Sequence, residues 1–396
     1  MRIGLISALR RSADGPLRAE LPLAGRSVLA WQVALLQSLG VERVICLTDG
    51  AAKLGILSLQ HSVEAGGAAF HTLKGFAALP ALVRAEDDLI ILGDGLVPDP
   101  VVVRMMIGGE EALRRVVAAI PADHALAADH PEDFERIDAE RHWAGVLAMR
   151  GAAVQQLTDF PEDSDAISLL LRLALQAGTP CSDLAPRELV PESWLLADSA
   201  DTVALHQQAL IANAAAAADW RTPMSALAAQ AVRAFAPRGL EQGGLVSGAG
   251  GLALMLGGVM AAAFGFAAAG LVMGGLGAFA CRIALSFSSL SARLRREAES
   301  DRVGAALAIA GEGLAALTLW FALAPWPEWQ PLAVLGPVLI GLARLASRGR
   351  DTPVAAMASD RASLLLALAL AAGLGILPEA VACLALGLLA ALLLRA

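Results

Sequence analysis

Apolar residues in the front part of the chain come in short runs broken by turn-forming residues; in the back part they run on for long stretches. Arg2 to Ala8 reads as a short buried strand, and a polar, turn-rich stretch follows it. Val28 to Leu39 has apolar positions at helical spacing and is stopped by Gly40. Arg43 to Leu47 is a second strand, bounded by Thr48-Asp49-Gly50. Strand, helix, strand predicts a parallel unit. Leu89 to Leu92 follows Glu86-Asp87-Asp88 and runs into Gly93-Asp94-Gly95, which sets a carboxylate at the carboxyl end of a strand. In open α/β sheets that edge is where ligands bind. Trp143 to Met149 and Ser164 to Ala177 read as strand and helix, and Ala209 to Ala218 as an alanine-rich helix. The front part is therefore expected to be α/β.

Further on, Trp220, Pro223, Met224, Leu227, Ala231, Val232 and Phe235 outline an amphipathic helix beside Arg221, Arg233 and Arg238. Such a helix can lie at a membrane surface. Gln242 to Cys281 contains no charged residue, enough for two spans of about twenty residues each. Its glycines suit close helix packing in lipid. Val303 to Leu323, Trp329 to Leu345, Ala362 to Leu377 and Ala380 to Leu394 bring the expectation to about six helices, the last two short enough to form a shallow hairpin instead. The boundaries read 1–218 for the front domain, 219–241 for a juxtamembrane linker and 242–396 for an all-α polytopic membrane domain.

Arginines orient this domain. Arg293, Arg295, Arg296 and Arg302 lie between the second and third spans, Arg344, Arg348, Arg350 and Arg361 around the fourth-to-fifth connection, and Arg395 at the end. By the positive-inside rule both termini and the front domain face the cytoplasm, in a multi-pass protein of the cytoplasmic (inner) membrane.

Composition sharpens the division. The 396 residues are 57% hydrophobic, with a mean hydropathy of +0.61, and most carboxylates lie at or before Glu241. The net charge of −8 argues against nucleic-acid binding, which needs a basic surface. Cys46, Cys181, Cys281 and Cys383 are too scattered for a disulfide framework or a metal knuckle. The opening MRIGLISALRRSADG has too short an apolar core for a signal peptide. Asp94 is either a turn residue or a metal ligand, and Asp198 either a ligand or the N-cap of a helix over Thr202 to Leu210. Glu162, Asp163 and Asp165 fit favourable charges at a helix N-terminus. No histidine shows metal-ligand spacing.

The stretch LPLAGRSVLAWQVALLQSLGVERVICLTDG resembles the region after the phosphate loop in sugar-phosphate and alcohol-phosphate nucleotidyltransferases, a Rossmann-like fold. IILGDGLVPDP is similar to that family's strand ending in a metal-binding aspartate, and WLLADSADTVALHQQAL to its later acidic segment. The resemblance implies that Asp94 and Asp198 hold Mg²⁺ against a triphosphate. The family's glycine-rich first loop is replaced here by Ser7-Ala8-Leu9-Arg10-Arg11-Ser12-Ala13-Asp14-Gly15, with its glycine late, and Arg18-Ala19-Glu20 stands where a lysine belongs. Arg10, Arg11 and Arg18 are the side chains left to contact phosphate.

The segment SFSSLSARLRREAESDRVGAALAIAGE, Ser286 to Glu312, resembles the motif of CDP-alcohol phosphotransferases, whose aspartates hold divalent metal and whose last carboxylate acts as base. Ala292-Arg293, Gly304 and Glu312 match, while Ser288, Ser289 and Ala308 stand where carboxylates or glycine belong. By that resemblance Arg293 contacts the nucleotide and Glu312 is the one remaining catalytic candidate. As an ionisable residue within a span, Glu312 is either part of a polar pocket or a neutral acid hydrogen-bonded between helices. The two halves together look like the fused inositol-phosphate cytidylyltransferases. The reading is a divergent, catalytically impaired member linked to phospho-alcohol or polar-lipid synthesis, which binds CTP or a CDP-alcohol, or pairs as a homodimer or with an active relative. The alternative is a working membrane-anchored, Mg²⁺-dependent nucleotidyltransferase. A transporter fits less well, for want of paired intramembrane charges and of an inverted repeat.

Overall fold

The computed structural model describes the chain apart from residues 50–53, 109–112, 162–163, 191–192, 215–218, 296–301, 328–329, 349–351 and 395–396, and apart from the side chains of 237–241, 295 and 353. Gly50, Glu162, Asp163, Ala218, Arg296, Trp329, Arg350 and Arg395 thus lie outside the described residues, as do the side chains of Arg238 and Arg295. The chain divides into two compact units, Met1–Ala209 and Leu210–Ala396.

Unit 1 is built on a seven-stranded sheet. Its strands are β1 (Arg2–Ala8), β2 (Arg43–Thr48), β3 (Ala69–Lys74), β4 (Asp88–Leu92), β6 (Val116–Pro121), β7 (Arg141–Arg150) and β8 (Cys181–Asp183). They lie in the order β8-β6-β7-β4-β1-β2-β3, all parallel except β7, which is antiparallel to both its neighbours. The strands are near-continuous apolar runs because both faces are covered. Ile6, Val44 and Ile90 enter one core, whereas Ile3, Leu5, Ile45 and Leu89 enter the other.

Helix α1 (Val28–Ser38) starts at Ser27, whose Oγ accepts from Ala30 N at 3.2 Å. Helices α2 (Leu54–Ala65), α3 (Pro100–Ile107), α4 (Ala166–Gln176) and α5 (Ala200–Ala214) follow. A two-stranded ribbon pairs β5 (Leu96–Pro98) antiparallel with β9 (Trp194–Leu196). Consecutive strands depart in opposite directions from β1, which opens a crevice at the carboxyl ends of β1 and β4.

Unit 2 is helical. It contains α6 (Pro223–Ala263), α7 (Ala267–Arg295), α8 (Arg302–Leu323), α9 (Leu335–Ser347), α10 (Arg361–Gly373) and α11 (Leu377–Leu393). Gln242–Ala263, Ala267–Leu294 and Arg302–Leu323 are long and apolar enough to cross a membrane. Among the described residues that makes three such helices where the sequence leads one to expect about six. The reason is length: α9 and α10 have 13 residues each, and at about 1.5 Å per residue they fall short of a hydrocarbon core about 30 Å thick.

From Pro223 helical structure runs unbroken through the rest of the expected linker into the first long span. Within it Ala228, Val232 and Ala236 are buried, while Leu227, Phe235 and nearby Trp220 are exposed. Helices α6 and α7 approach closely at glycines; a Cβ on Gly258 would lie 2.6 Å from Gly270 O. Asp360 is buried and accepts from Ser363 N at 3.2 Å, from Ser363 Oγ at 2.8 Å and from Met224 N at 3.0 Å. One carboxylate therefore caps the starts of both α10 and α6.

Candidate functional site

β4 ends in Gly93-Asp94-Gly95, which turns the chain into β5. Gly93 N donates to Gly145 O of β7 at 2.7 Å, fixing the turn. Gly95 has φ +73°, and a Cβ there would meet the Arg18 side chain at 2.9 Å, so glycine is required. Asp94 thereby faces the crevice. Its Oδ2 accepts from Leu9 N at 2.8 Å, Arg10 N at 3.0 Å and Ser7 Oγ at 3.1 Å. Its Oδ1 is buried with no hydrogen-bond partner. Burial pushes the carboxyl above the ordinary range and outweighs the three donors and Arg18, which act in the opposite sense. On β2, burial and then the charge of Asp94 push the Cys46 thiol up to about 12, so it carries no thiolate at neutral pH.

The loop after β1 doubles back on itself. Arg11 bridges to Leu17, Ser12 N donates to Pro16 O at 2.8 Å, and Arg18 N donates to Arg10 O at 3.0 Å. Gly15, with φ +102°, makes the reversal. The fold thus brings Arg10 and Arg18 together and leaves Arg11 out: Arg11 Nη1 donates to Gly15 O at 2.9 Å on the exposed side. Arg10 Nη1 and Arg18 Nη1 both reach Asp133 Oδ1, at 2.7 and 2.6 Å. Arg10 Nη2 also donates to Glu132 O at 2.9 Å.

Asp198 arrives through the ribbon. Leu196 pairs with Leu96, and Ala197 N donates to Gly95 O at 2.9 Å, so the register sets Asp198 across from Asp94. Its role as a helix N-cap is overturned: Ser199 Oγ accepts from Thr202 N at 3.2 Å, and Asp14 Oδ2 accepts from Ala200 N at 2.7 Å. Asp198 Oδ2 lies 3.7 Å from His130 Nε2, and its Oδ1 is buried without a partner. Asp165 is the N-cap of α4, accepting from Ile167 N at 2.9 Å.

Beside Asp94 and Asp133 lies a cavity of about 40 Å³, lined by Ser7, Arg10, Asp94, Asp133, Glu135 and Ser168 among others, and Asp198 is not part of its lining. Its volume has room for water but not for a nucleotide. No group of three or more metal-ligating side chains occurs among the described residues. Mg²⁺, however, commonly takes only one or two carboxylates, with the rest of its shell from water and substrate phosphates. The orphaned Oδ1 atoms of Asp94 and Asp198 fit that limited role. Asp133, His130 and Glu135 are the residues that reading the sequence misses; they lie in a charged stretch with no motif spacing.

In unit 2, Glu312 is ion-paired twice, to Arg344 Nη1 at 2.7 Å and to Arg361 Nη2 at 3.3 Å. The three side chains come from α8, α9 and α10. Of the two settings expected for Glu312, a polar pocket or a hydrogen-bonded acid between helices, these contacts are those of a polar cluster, and they supply the paired charges that the sequence does not reveal, because the partners are far apart in the chain. Arg293 Nη1 donates to Ala214 O at 3.3 Å beside a cavity of about 60 Å³ that Ser286 and Ser289 also line. Arg293 and Glu312 do not meet in any contact among the described residues. Ser289 Oγ donates to Ser286 O at 3.0 Å, and Gly304 is buried.

No family model matches the chain, and no curated protein matches it. Among solved structures, one from Bacillus anthracis assigned as a glucose-1-phosphate thymidylyltransferase, in complex with a sucrose, is similar over 52% of this chain and 96% of its own, at 13% identity and a TM-score of 0.39. The inositol-1-phosphate CTP transferase from T. maritima is similar over 51% of this chain and 96% of its own, at 15% identity and a TM-score of 0.34. Both likenesses concern the N-terminal half. At these scores neither bears on the site.

Proposed function

We propose that unit 1 binds a phosphorylated nucleotide, CTP or a CDP-alcohol, in the Asp94 crevice, and that the chain serves phospho-alcohol or polar-lipid chemistry as a membrane protein with impaired transfer. The observation that carries this reading is the buried, unpartnered Oδ1 of Asp94 at the carboxyl end of a central strand, with the equally unpartnered Oδ1 of Asp198 across the ribbon. Asp94 and Asp198 would hold Mg²⁺, which when bound neutralises phosphate charge and orients the phosphates. Ser7 and the amides of Leu9 and Arg10 hold Asp94 in place. Those same donors are then engaged and cannot cradle a triphosphate, which supports impairment. The orphaned oxygen pair equally supports the second reading, a working Mg²⁺-dependent nucleotidyltransferase.

In unit 2 the three long apolar helices support a bilayer location. Cytosolic placement of both termini needs an odd number of further crossings from the α9, α10 and α11 segments, of which Pro331–Ser347 and Leu377–Leu393 are the longer candidates. The exposed Leu227 and Phe235 beside Arg233 would rest at the interface.

The test is thermal unfolding of the detergent-purified chain with CTP and with a CDP-alcohol, with and without Mg²⁺. Ligand at a hundred times its Kd should stabilise by about 2.7 kcal/mol. A Mg²⁺-dependent shift that disappears in both Asp94→Asn and Asp198→Asn supports the site, and product formation then decides between the two readings. No shift with any nucleotide overturns both.

A further inference from the structure

We propose that Asp133 is the internal occupant of a phosphate site formed by Arg10 and Arg18, and that a phosphate-bearing ligand binds there by displacing it. The proposal rests on the nucleotide reading of the crevice and adds what keeps the crevice closed in the absence of ligand. Both guanidiniums converge on the same atom, Asp133 Oδ1, at 2.7 and 2.6 Å. Guanidinium donors take carboxylate and phosphate oxygens with the same geometry, so the position held by this oxygen is one a phosphate oxygen fits.

At the shared oxygen two guanidiniums meet one carboxylate, and a phosphate dianion brings to that point a second charge that a single carboxylate does not. The carboxylates of Asp94, Glu132, Glu135 and Asp165 line the same cavity, so the exchange depends on contact with the two guanidiniums and not on a basic surrounding. The site is also built rather than incidental: the Arg18 and Asp133 side chains are only 11% and 10% exposed, and Arg18 Nε is buried without a partner. The Arg18 stem lies against Gly95, next to Asp94, and Arg10 and Asp133 line the same cavity as Asp94.

The backbone around Asp133 allows a side-chain exchange without unfolding the segment. Asp133 N and Phe134 N both donate to His130 O, at 3.0 and 3.1 Å, and the Phe134 ring is fully buried in the core. The anchored Phe134 holds the turn in place while the Asp133 side chain rotates away. In this account the arginines do not lack an anion; they hold a weaker one, and its removal should create affinity.

The probe is inorganic pyrophosphate without Mg²⁺, added to the full detergent-purified chain, with unfolding midpoints read against KCl of matched ionic strength. Asp133→Asn should lower the midpoint without anion, and pyrophosphate should restore it at a concentration about ten-fold or more below that needed to move the wild type. Adding Arg10→Gln to Asp133→Asn should abolish the response. Equal responses of wild type and Asp133→Asn, or a response that survives Arg10→Gln, overturn the proposal. If Asp133→Asn does not fold, Arg10→Gln alone decides: it must remove whatever pyrophosphate response the wild type has, and an unchanged or absent wild-type response counts against the assignment. Loss of the Mg²⁺-CTP shift with the pyrophosphate gain intact would remove the nucleotide reading and leave the anion site standing.

Discussion

Each unit contains one carboxylate met by two arginines, and the two clusters are wired differently. In unit 1 both guanidiniums share one oxygen of Asp133, and both come from a single loop after β1. In unit 2 Arg344 takes one oxygen of Glu312 and Arg361 the other, and every member belongs to a different helix. The first arrangement gathers two charges of one element around an acceptor that borders a cavity, so the acceptor can be exchanged for a ligand. The second divides the acceptor between helices separated by loops, so its removal unties them. A pair of arginines on an acid is thus a site in one setting and a fastening in the other.

The comparison can be broken most severely at Glu312. Glu312→Gln removes the counter-ion of two guanidiniums in a partly exposed cluster and is expected to lower the stability of unit 2 by about 2 kcal/mol, measured by denaturant unfolding in detergent. Unit 1 should keep its own transition. Equal loss in both units, or none, would contradict the role given to the cluster.

A smaller effect of opposite sign is expected at Asp94. Its folded carboxyl holds the proton more tightly than the unfolded one, so ionised Asp94 costs stability as pH rises above the unfolded value near about 4. Asp94→Asn should therefore stabilise unit 1 at neutral pH. The advantage should shrink as pH falls through the range between the raised and the ordinary value, and Mg²⁺ should narrow it by favouring the carboxylate. A variant less stable than wild type at neutral pH would contradict this.

Ser199→Ala removes the cap of α5 and should cost about 1 kcal/mol in the unfolding of unit 1, whereas Asp198→Ala should leave that cap intact. The smallest effect belongs to Arg11→Ala. Its guanidinium only closes its own loop on Gly15 O, so stability should change by less than about 0.5 kcal/mol, and the pyrophosphate midpoint should not move.

Much of unit 1 is legible in the sequence because its strands are buried on both faces. Arg2–Ala8 falls where its apolar run places it, and β2, β4, β7, α1 and α4 lie within a few residues of their apolar patterns. β3 and β6 escape notice: AFHTLK mixes polar residues into an edge strand, and VVAAIP is short and alanine-rich. The position of Asp94 is legible because a carboxylate at the end of a buried strand has few local explanations. Asp133 is not, since its meaning comes from two arginines more than a hundred positions earlier. Pairing across such distances leaves no periodicity to read. The same holds for Glu312, whose partners stand 32 and 49 positions later, the former being 344 − 312. The excess of expected spans has a plainer cause: apolar composition continues through α9 to α11, but turns cut the helices short.

The shared cap at Asp360 places the start of unit 2 under the control of its end. Met224 N waits for an acceptor that lies 136 residues further along, so α6 is made long before its first turn can be completed. During synthesis that turn should stay frayed until α10 is in place, because the closing contact spans 136 positions. A chain ended within the connection before Asp360 would therefore lose more than its last two helices. Its opening segment near Trp220 should become the preferred point of proteolytic cleavage, a marker by which completed and interrupted chains can be told apart.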